Sequence, residues 1–216
     1  MQVGVLEDEV VRLEPLRLEH VGPLLTAATE DRATFGLAPV PGDRAGMQAY
    51  VEAALDDARA RRAAPFAIVR KDRGVVAGAT RLMNLEWWTW PRGPILVVGE
   101  PRRRDAGDPP DVAEIGHVWL AASAQRTAIN TAACVLLMRH AFETWVVHRL
   151  VLKTDARNQR SRDAIGRLGG VFEGVLRAHQ PAADGIIRDT AMFSITRTEW
   201  PAVQARLGLV PGGGPA

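Results

Sequence analysis

Seven consecutive apolar residues, 132–138, occupy the middle of a stretch whose pattern predicts a helix over residues 127 to about 145. A helix that is apolar all round cannot lie on a surface, so the fold must cover it with other elements on every side. No apolar run in the chain approaches the roughly 18 residues of a membrane span. With 216 residues the chain makes about one domain and is long enough to bury such a helix by itself.

The rest of the chain supplies the covering layers. Residues 10–16 read as a strand and 19–29 as a helix, from Val21, Leu24, Leu25 and Ala28 at helical spacing. Pro39, Pro41 and Gly42 mark a turn before Asp43, the expected N-cap of a second helix through about residue 62, ended by Pro65. Residues 66–70 and 75–84 form two strands joined by the turn Lys71-Asp72-Arg73-Gly74. Residues 85–111 carry five prolines, three glycines and Trp87, Trp88 and Trp90, and read as an insertion loop with one short strand at 95–98. Beyond it come a strand at 112–120, the apolar helix, a strand at 148–154, a helix at 158–168 ended by Gly169 and Gly170, and a hairpin of 171–178 with 188–196. The order β-α-α-β-β-β-α-β-α-β-β implies an α/β (α+β) fold, one mixed sheet with helices on both faces, in a single domain over 1–207. Residues 208–216 read as a disordered tail.

Charge narrows the function classes. The 27 basic and 25 acidic side chains leave a net charge of +2, so a nucleic-acid-binding reading rests only on the cluster Arg102, Arg103 and Arg104. Of the basic residues only Lys71 and Lys153 are lysine, a bias suggesting a GC-rich bacterial genome. The single cysteine, Cys134, excludes an intramolecular disulfide. Residues 1–9 lack the basic and apolar regions of a signal peptide, so a cytoplasmic location is expected. His20, His117, His140, His148 and His179 show no metal-ligand spacing, and no metal is expected. Cys134 and His140, six apart on a helix, share no face and read as core residues.

The segment after the strand at 112–120 is the most informative for chemistry. A strand running into a short loop that opens a helix offers unpaired backbone N–H groups and the positive end of a helix dipole, the arrangement that holds a pyrophosphate. Arg126, Thr127 and Thr131 can add hydrogen bonds to it. The plainer reading is an ordinary strand-to-helix turn with a surface arginine. Asn158 and Ser161 have the spacing of an N-cap and its N3 residue, which capping alone explains.

Taken together, Ala113-Glu114-Ile115-Gly116-His117-Val118-Trp119-Leu120, Gln125-Arg126-Thr127-Ala128-Ile129-Asn130, the buried helix, Asn158-Gln159-Arg160-Ser161 and Arg167-Leu168-Gly169 resemble the GNAT acyl-CoA N-acyltransferases. Within that superfamily they are similar to the RimL-type ribosomal-protein N-terminal acetyltransferases. The resemblance implies a mostly antiparallel central sheet flanked by helices and transfer of an acetyl group from acetyl-CoA to a primary amine, directly in a ternary complex. A homodimer is expected, and no nucleic-acid or membrane partner. The cofactor would contact Val118, Trp119, Leu120, Gln125, Arg126, Thr127, Ala128, Ile129, Asn130, Thr131 and Asn158. The sequence departs from the family in having Ala128 and Asn130 where the phosphate loop usually carries glycine. It also lacks a tyrosine on the helix at 158–168, so Ser161 or water is expected to protonate the leaving thiolate.

Attack of a neutral amine on a thioester needs a route for the amine proton. Glu114 matches by position the strand glutamate that several members use as base; a solvated or arginine-paired carboxylate is its plainer reading. His117 is the competitor, but strict alternation places it on the face opposite Glu114 and Val118. For the acceptor, Arg81 can pair a carboxylate and Trp87, Trp88 and Trp90 can wall a pocket, unless they pack the insertion or form a dimer contact. From a different class, a non-catalytic acyl-CoA-binding module is the alternative, its altered loop and missing tyrosine marking lost chemistry.

Overall fold

The computed structural model describes residues 3–89 and 107–209. Among them are eight strands in one sheet: β1 (Leu6–Glu7), β2 (Val11–Pro15), β3 (Ala64–Arg70), β4 (Val75–Glu86), β5 (Val112–Leu120), β6 (Arg149–Asp155), β7 (Val171–Pro181) and β8 (Ile187–Thr196). Five α-helices accompany them: α1 (Val21–Thr29), α2 (Arg44–Arg59), α3 (Ile129–Arg139), α4 (Gln159–Leu168) and α5 (Trp200–Arg206). The sheet order is β1-β2-β3-β4-β5-β6-β8-β7, antiparallel throughout except for the parallel pair β5 and β6, which α3 connects. No helix among the described residues is long and apolar enough to cross a membrane.

The elements expected from the sequence form where their signals lie. Asp43 caps α2, its Oδ1 accepting from the Gly46 amide at 2.8 Å, and Met47, Val51 and Ala54 are buried along its inner face. Asn158 caps α4 by accepting from the Ser161 amide at 3.1 Å, and Gly169 ends it at φ +108°, a conformation that only glycine adopts without strain. All seven residues of β3 are buried, which requires cover on both faces of the sheet. α1 and α2 pack on each other and on β4 and β3, while α3 packs on β2 and β5.

The apolar helix is the centre of the core. Residues 133–138 of α3 are buried, with Leu137 and Met138 fully so, beside Leu13, Phe66, Ile68, Leu82, Leu150 and Ile195. α3 starts at Ile129, and its expected end, residues 140–144, is one turn of π-helix. The strand β1 and the helix α5 are additions to the expected order. The expected strand at 95–98, Trp90, the cluster Arg102, Arg103 and Arg104, and all but the first two residues of the expected tail lie outside the described residues.

Candidate active site

Parallel strands β5 and β6 pair only from Val112 with Arg149 to Ile115 with Leu152. Beyond that point they part, leaving one edge of β5 from Gly116 onward without a ladder partner among the described residues. A cavity of about 330 Å³ occupies the opening. Gly116, His117, Val118 and Trp119 line one side, and Leu152, Lys153, Thr154 and Asp155 the other. Asn130 and Cys134 of α3, Asn158, Ser161 and Ile165 around α4, Tyr50 of α2, the connection Leu37 to Val40 and the hairpin residues Gln180 and Arg188 complete the wall. The sequence expectation thus meets the cavity at Glu114, His117, Val118, Trp119, Asn130, Asn158 and Ser161.

Two irregularities in the β4–β5 ladder aim the polar groups. An extra residue of β4 falls between the pairs Met83–Glu114 and Glu86–Val112, with Asn84 at φ +48°. An extra residue of β5 falls between Arg81–Gly116 and Ala79–Trp119, with His117 at φ +50°. Such bulges re-aim side chains. Asn84 Nδ2 donates to Glu114 Oε2 at 2.8 Å, and His117 faces the same cavity as Glu114. The expectation that alternation sends His117 to the opposite face is therefore wrong, because the bulge breaks the period of two. Gly116 stands between them, and a Cβ there would come within 3.2 Å of Glu114 Oε1 and 2.4 Å of Met83 Sδ.

Glu114 is buried, and Lys153 Nζ lies 2.9 Å from its Oε2. His117 is open to the cavity on one side and surrounded by protein on the other. Burial, with the cations of Arg81 and Lys153 and against Asp57, pushes its pKa down to about 4, so the imidazole is neutral at physiological pH. Burial pushes the Cys134 thiol up to about 12, which leaves it an inert thiol in the wall. The Arg157 guanidinium grips both oxygens of Asp155 and holds that carboxyl below the usual carboxylate range.

The loop from β5 to α3 is built by its own side chains. Gln125 Nε2 donates to Leu120 O and Thr34 Oγ1, both at 3.0 Å, and its Oε1 accepts from Arg160 at 3.2 Å. Thr127 Oγ1 donates to Ala124 O at 2.7 Å and accepts from Ile129 N at 3.3 Å. These two side chains hold the loop and are not free for a ligand. The amides of Arg126, Thr127 and Ala128, by contrast, have no protein acceptor among the described residues, and all three residues are exposed. Arg126 takes the left-handed turn at φ +59°, whereas Ala128 is helical at φ −66°, ψ −14°. Alanine in the place of the family's glycine therefore carries no backbone strain.

Other expected residues lie elsewhere. Arg81 is buried, 3.5 Å from Asp57 and over the ring of Tyr50, where it ties β4 to α2. Trp87 Nε1 donates to Asp108 O at 3.0 Å, and Trp88 stacks on His148 with ring centroids 5.4 Å apart. Neither tryptophan lines the cavity, contrary to expectation: the insertion leaves at the paired end of β5, while the cavity opens at the end where β5 and β6 part. Tyr50 is among the residues that sequence reasoning missed, with Asn84, Lys153 and Arg188. The Tyr50 hydroxyl accepts from Trp119 Nε1 at 3.3 Å and its ring lies 6.2 Å from that of His117. Being the only tyrosine in the chain was its one signal, and nothing in the pattern of α2 places it against β5.

A strand running into a loop of free amides that opens a helix is the arrangement the sequence leads one to expect, and comparison with known proteins decides the matter: residues 11–171 match the acetyltransferase (GNAT) domain family. The chain belongs to the GNAT acetyltransferases. It is 33% identical over 88 residues to a Bacillus subtilis protein assigned as the ribosomal N-acetyltransferase YdaF, a match covering 41% of this chain and 47%, about half, of that relative. The crystal structure of a GCN5-related N-acetyltransferase from Brucella melitensis is 30% identical with a TM-score of 0.74, covering 98% of this chain and 88% of the other. Mycobacterium smegmatis RimJ in complex with CoA-disulfide has the same fold at 23% identity, with a TM-score of 0.70 and coverage of 95% and 94%. The family's mostly antiparallel sheet is the one described above.

Proposed function

We propose that this GNAT enzyme transfers an acetyl group from acetyl-CoA to a primary amine by direct attack within a ternary complex. The observation that carries the reading is the parting of β5 and β6 at the start of α3, where Asn130 lines the cavity two residues after the free amides of Arg126, Thr127 and Ala128. An extended chain with two amide groups, which pantetheine is, can hydrogen-bond to an unpaired strand edge as a strand would, while the three amides, the α3 dipole and the Arg126 side chain take the pyrophosphate. The thioester then lies in the cavity beside Glu114, its carbonyl receiving backbone amides of the parted stretch, Val118 among them. Asn130 and Asn158 flank the pantetheine arm. Glu114, or a water it holds, removes the amine proton, and a cavity hydroxyl, Ser161 or Tyr50, returns a proton to the leaving thiolate. An inert Cys134 offers no nucleophile for a covalent acetyl-enzyme.

Initial rates with both substrates varied, followed by mass spectrometry of the acetylated amine, test this reading. Intersecting double-reciprocal lines and an acetylated product are expected. Parallel lines would indicate a covalent intermediate, and tight acetyl-CoA binding with no product from any amine would make the chain an acyl-CoA-binding module.

A further inference from the structure

The charges around the cavity are matched pair by pair, with one exception. Lys153 meets Glu114, Arg157 meets Asp155 and Asp184, and Arg81 meets Asp57. Arg188 lines the same cavity, half-buried, yet among the described residues its side chain makes one hydrogen bond, from Nε to Thr190 Oγ1 at 3.2 Å, and no ion pair. The nearby carboxylate of Asp155 is occupied on both oxygens by Arg157; the Arg188 charge also helps hold it ionised, but the two form no ion pair. Arg188 stands opposite Gln180 across the β7–β8 hairpin, so a guanidinium and an amide face the cavity side by side.

We infer that Arg188, with Gln180 beside it, binds a carboxylate on the acceptor, so that the amine acetylated belongs to a molecule carrying an acid group close to its amino group. The inference rests on the acetyltransferase reading above. A guanidinium offers a planar fork of donors that matches a carboxylate in two hydrogen bonds, and a half-buried one gains most from a partner of opposite charge. Acetyl-CoA does not provide that partner at this place. Its acetyl and pantetheine portions are uncharged, the loop suited to its pyrophosphate, residues 126–128, is not part of the cavity wall, and its 3′-phosphate is joined through the adenosine on the far side of that pyrophosphate from the thioester. The acceptor is the remaining reactant. Anchoring its carboxylate at the hairpin would orient the amine toward the thioester between Glu114 and His117, using binding energy for alignment.

Two sources of such a group are a free amino acid and a peptide with an acidic residue next to its N-terminus. Rates with acetyl-CoA are measured for glycine, β-alanine and glutamate against glycinamide and β-alaninamide, and for a tetrapeptide beginning Ser-Asp against one beginning Ser-Asn, all referred to the unprotonated amine. The parent enzyme is expected to favour the acid of at least one pair by about tenfold or more in kcat/KM, the size of a lost charged hydrogen bond. Arg188→Gln should abolish the preference by raising KM for the acid, and Arg188→Lys should keep part of it, with acetyl-CoA affinity by calorimetry unchanged in both. Which pair shows the preference identifies the source. Equal rates for acid and amide in the parent would overturn the inference even if Arg188→Gln failed to fold. So would an Arg188→Gln enzyme that binds acetyl-CoA more weakly while keeping the preference. Product from none of these amines, while another amine without an acid group is acetylated, would overturn this inference alone; only the absence of product from any amine, with acetyl-CoA still bound, would overturn the acetyltransferase reading with it.

Discussion

Lys153 Nζ lies 2.9 Å from Glu114 Oε2 across the parallel pair β5 and β6, at the point where the two strands begin to part. Glu114 stands opposite Val151, and Lys153 is two residues further on, on the same face. The carboxylate proposed as base is thus already bound to an ammonium and to the amide of Asn84. These two contacts both fall on Oε2, leaving Oε1, which points toward Gly116, as the atom for the amine.

Glu114→Gln keeps the hydrogen bond from Asn84 and removes the basicity. Turnover is expected to fall by roughly 10²–10⁴, with acetyl-CoA affinity nearly unchanged. It also strands the mostly buried Lys153, so stability should fall by about 1–3 kcal/mol. The double variant Glu114→Gln/Lys153→Met should recover the melting temperature and not the rate. Recovery of both would show that Glu114 serves only to neutralise Lys153.

For His117 the pH dependence has a definite sign. Its pKa in the folded state, about 4, lies below the 6.5 of the unfolded chain. Above pH 6.5 neither state is protonated and the group contributes nothing to the pH dependence. Between 6.5 and about 4 the unfolded chain binds a proton that the native state refuses, so stability drops as pH falls. The difference in unfolding free energy between His117→Gln and the parent, followed by denaturant titration from pH 7.5 to 4, should grow in favour of the variant over that window. A flat difference would mean that the imidazole titrates normally.

In the β5–α3 loop, Ala128→Asp puts a like charge beside the pyrophosphate, and acetyl-CoA affinity should fall by at least about tenfold, the loss of one charged contact. Arg126→Gly keeps the left-handed turn while deleting the guanidinium, and should weaken binding without lowering the melting temperature. Calorimetry of the two variants measures both effects. Unaltered affinity in Ala128→Asp would remove the pyrophosphate from this loop.

Trp87→Ala/Trp88→Ala should destabilise the protein by about 2–4 kcal/mol, somewhat under the cost of truncating a fully buried aromatic. Acceptor KM and acetyl-CoA affinity should not change. A higher acceptor KM at an unaltered melting temperature would return these rings to the path of the acceptor.

The fold was legible because its signals are local. The span expected for β5 agrees at both ends, Asp43 and Asn158 cap the helices they precede, and the apolar run of α3 is the core. The helix α5 escaped notice because seven residues of mixed polarity carry little periodicity, and β1 because it has only two residues. At the site, the order of motifs located the loop and the strand, but the aim of the side chains depends on bulges at Asn84 and His117 that alternation cannot register. Tyr50 and Arg188 come from elements far from β5 in sequence, and only the packing of α2 and the β7–β8 hairpin brings them to the cavity.

A crystal structure of the protein with CoA tests the central claim most directly, because it locates every part of the cofactor at once. The pyrophosphate is expected on the amides of Arg126, Thr127 and Ala128, with the pantetheine arm along the parted edge of β5 and the sulfur in the cavity beside Glu114. CoA bound outside the gap between β5 and β6, or with its sulfur directed away from Glu114 and His117, would contradict the account.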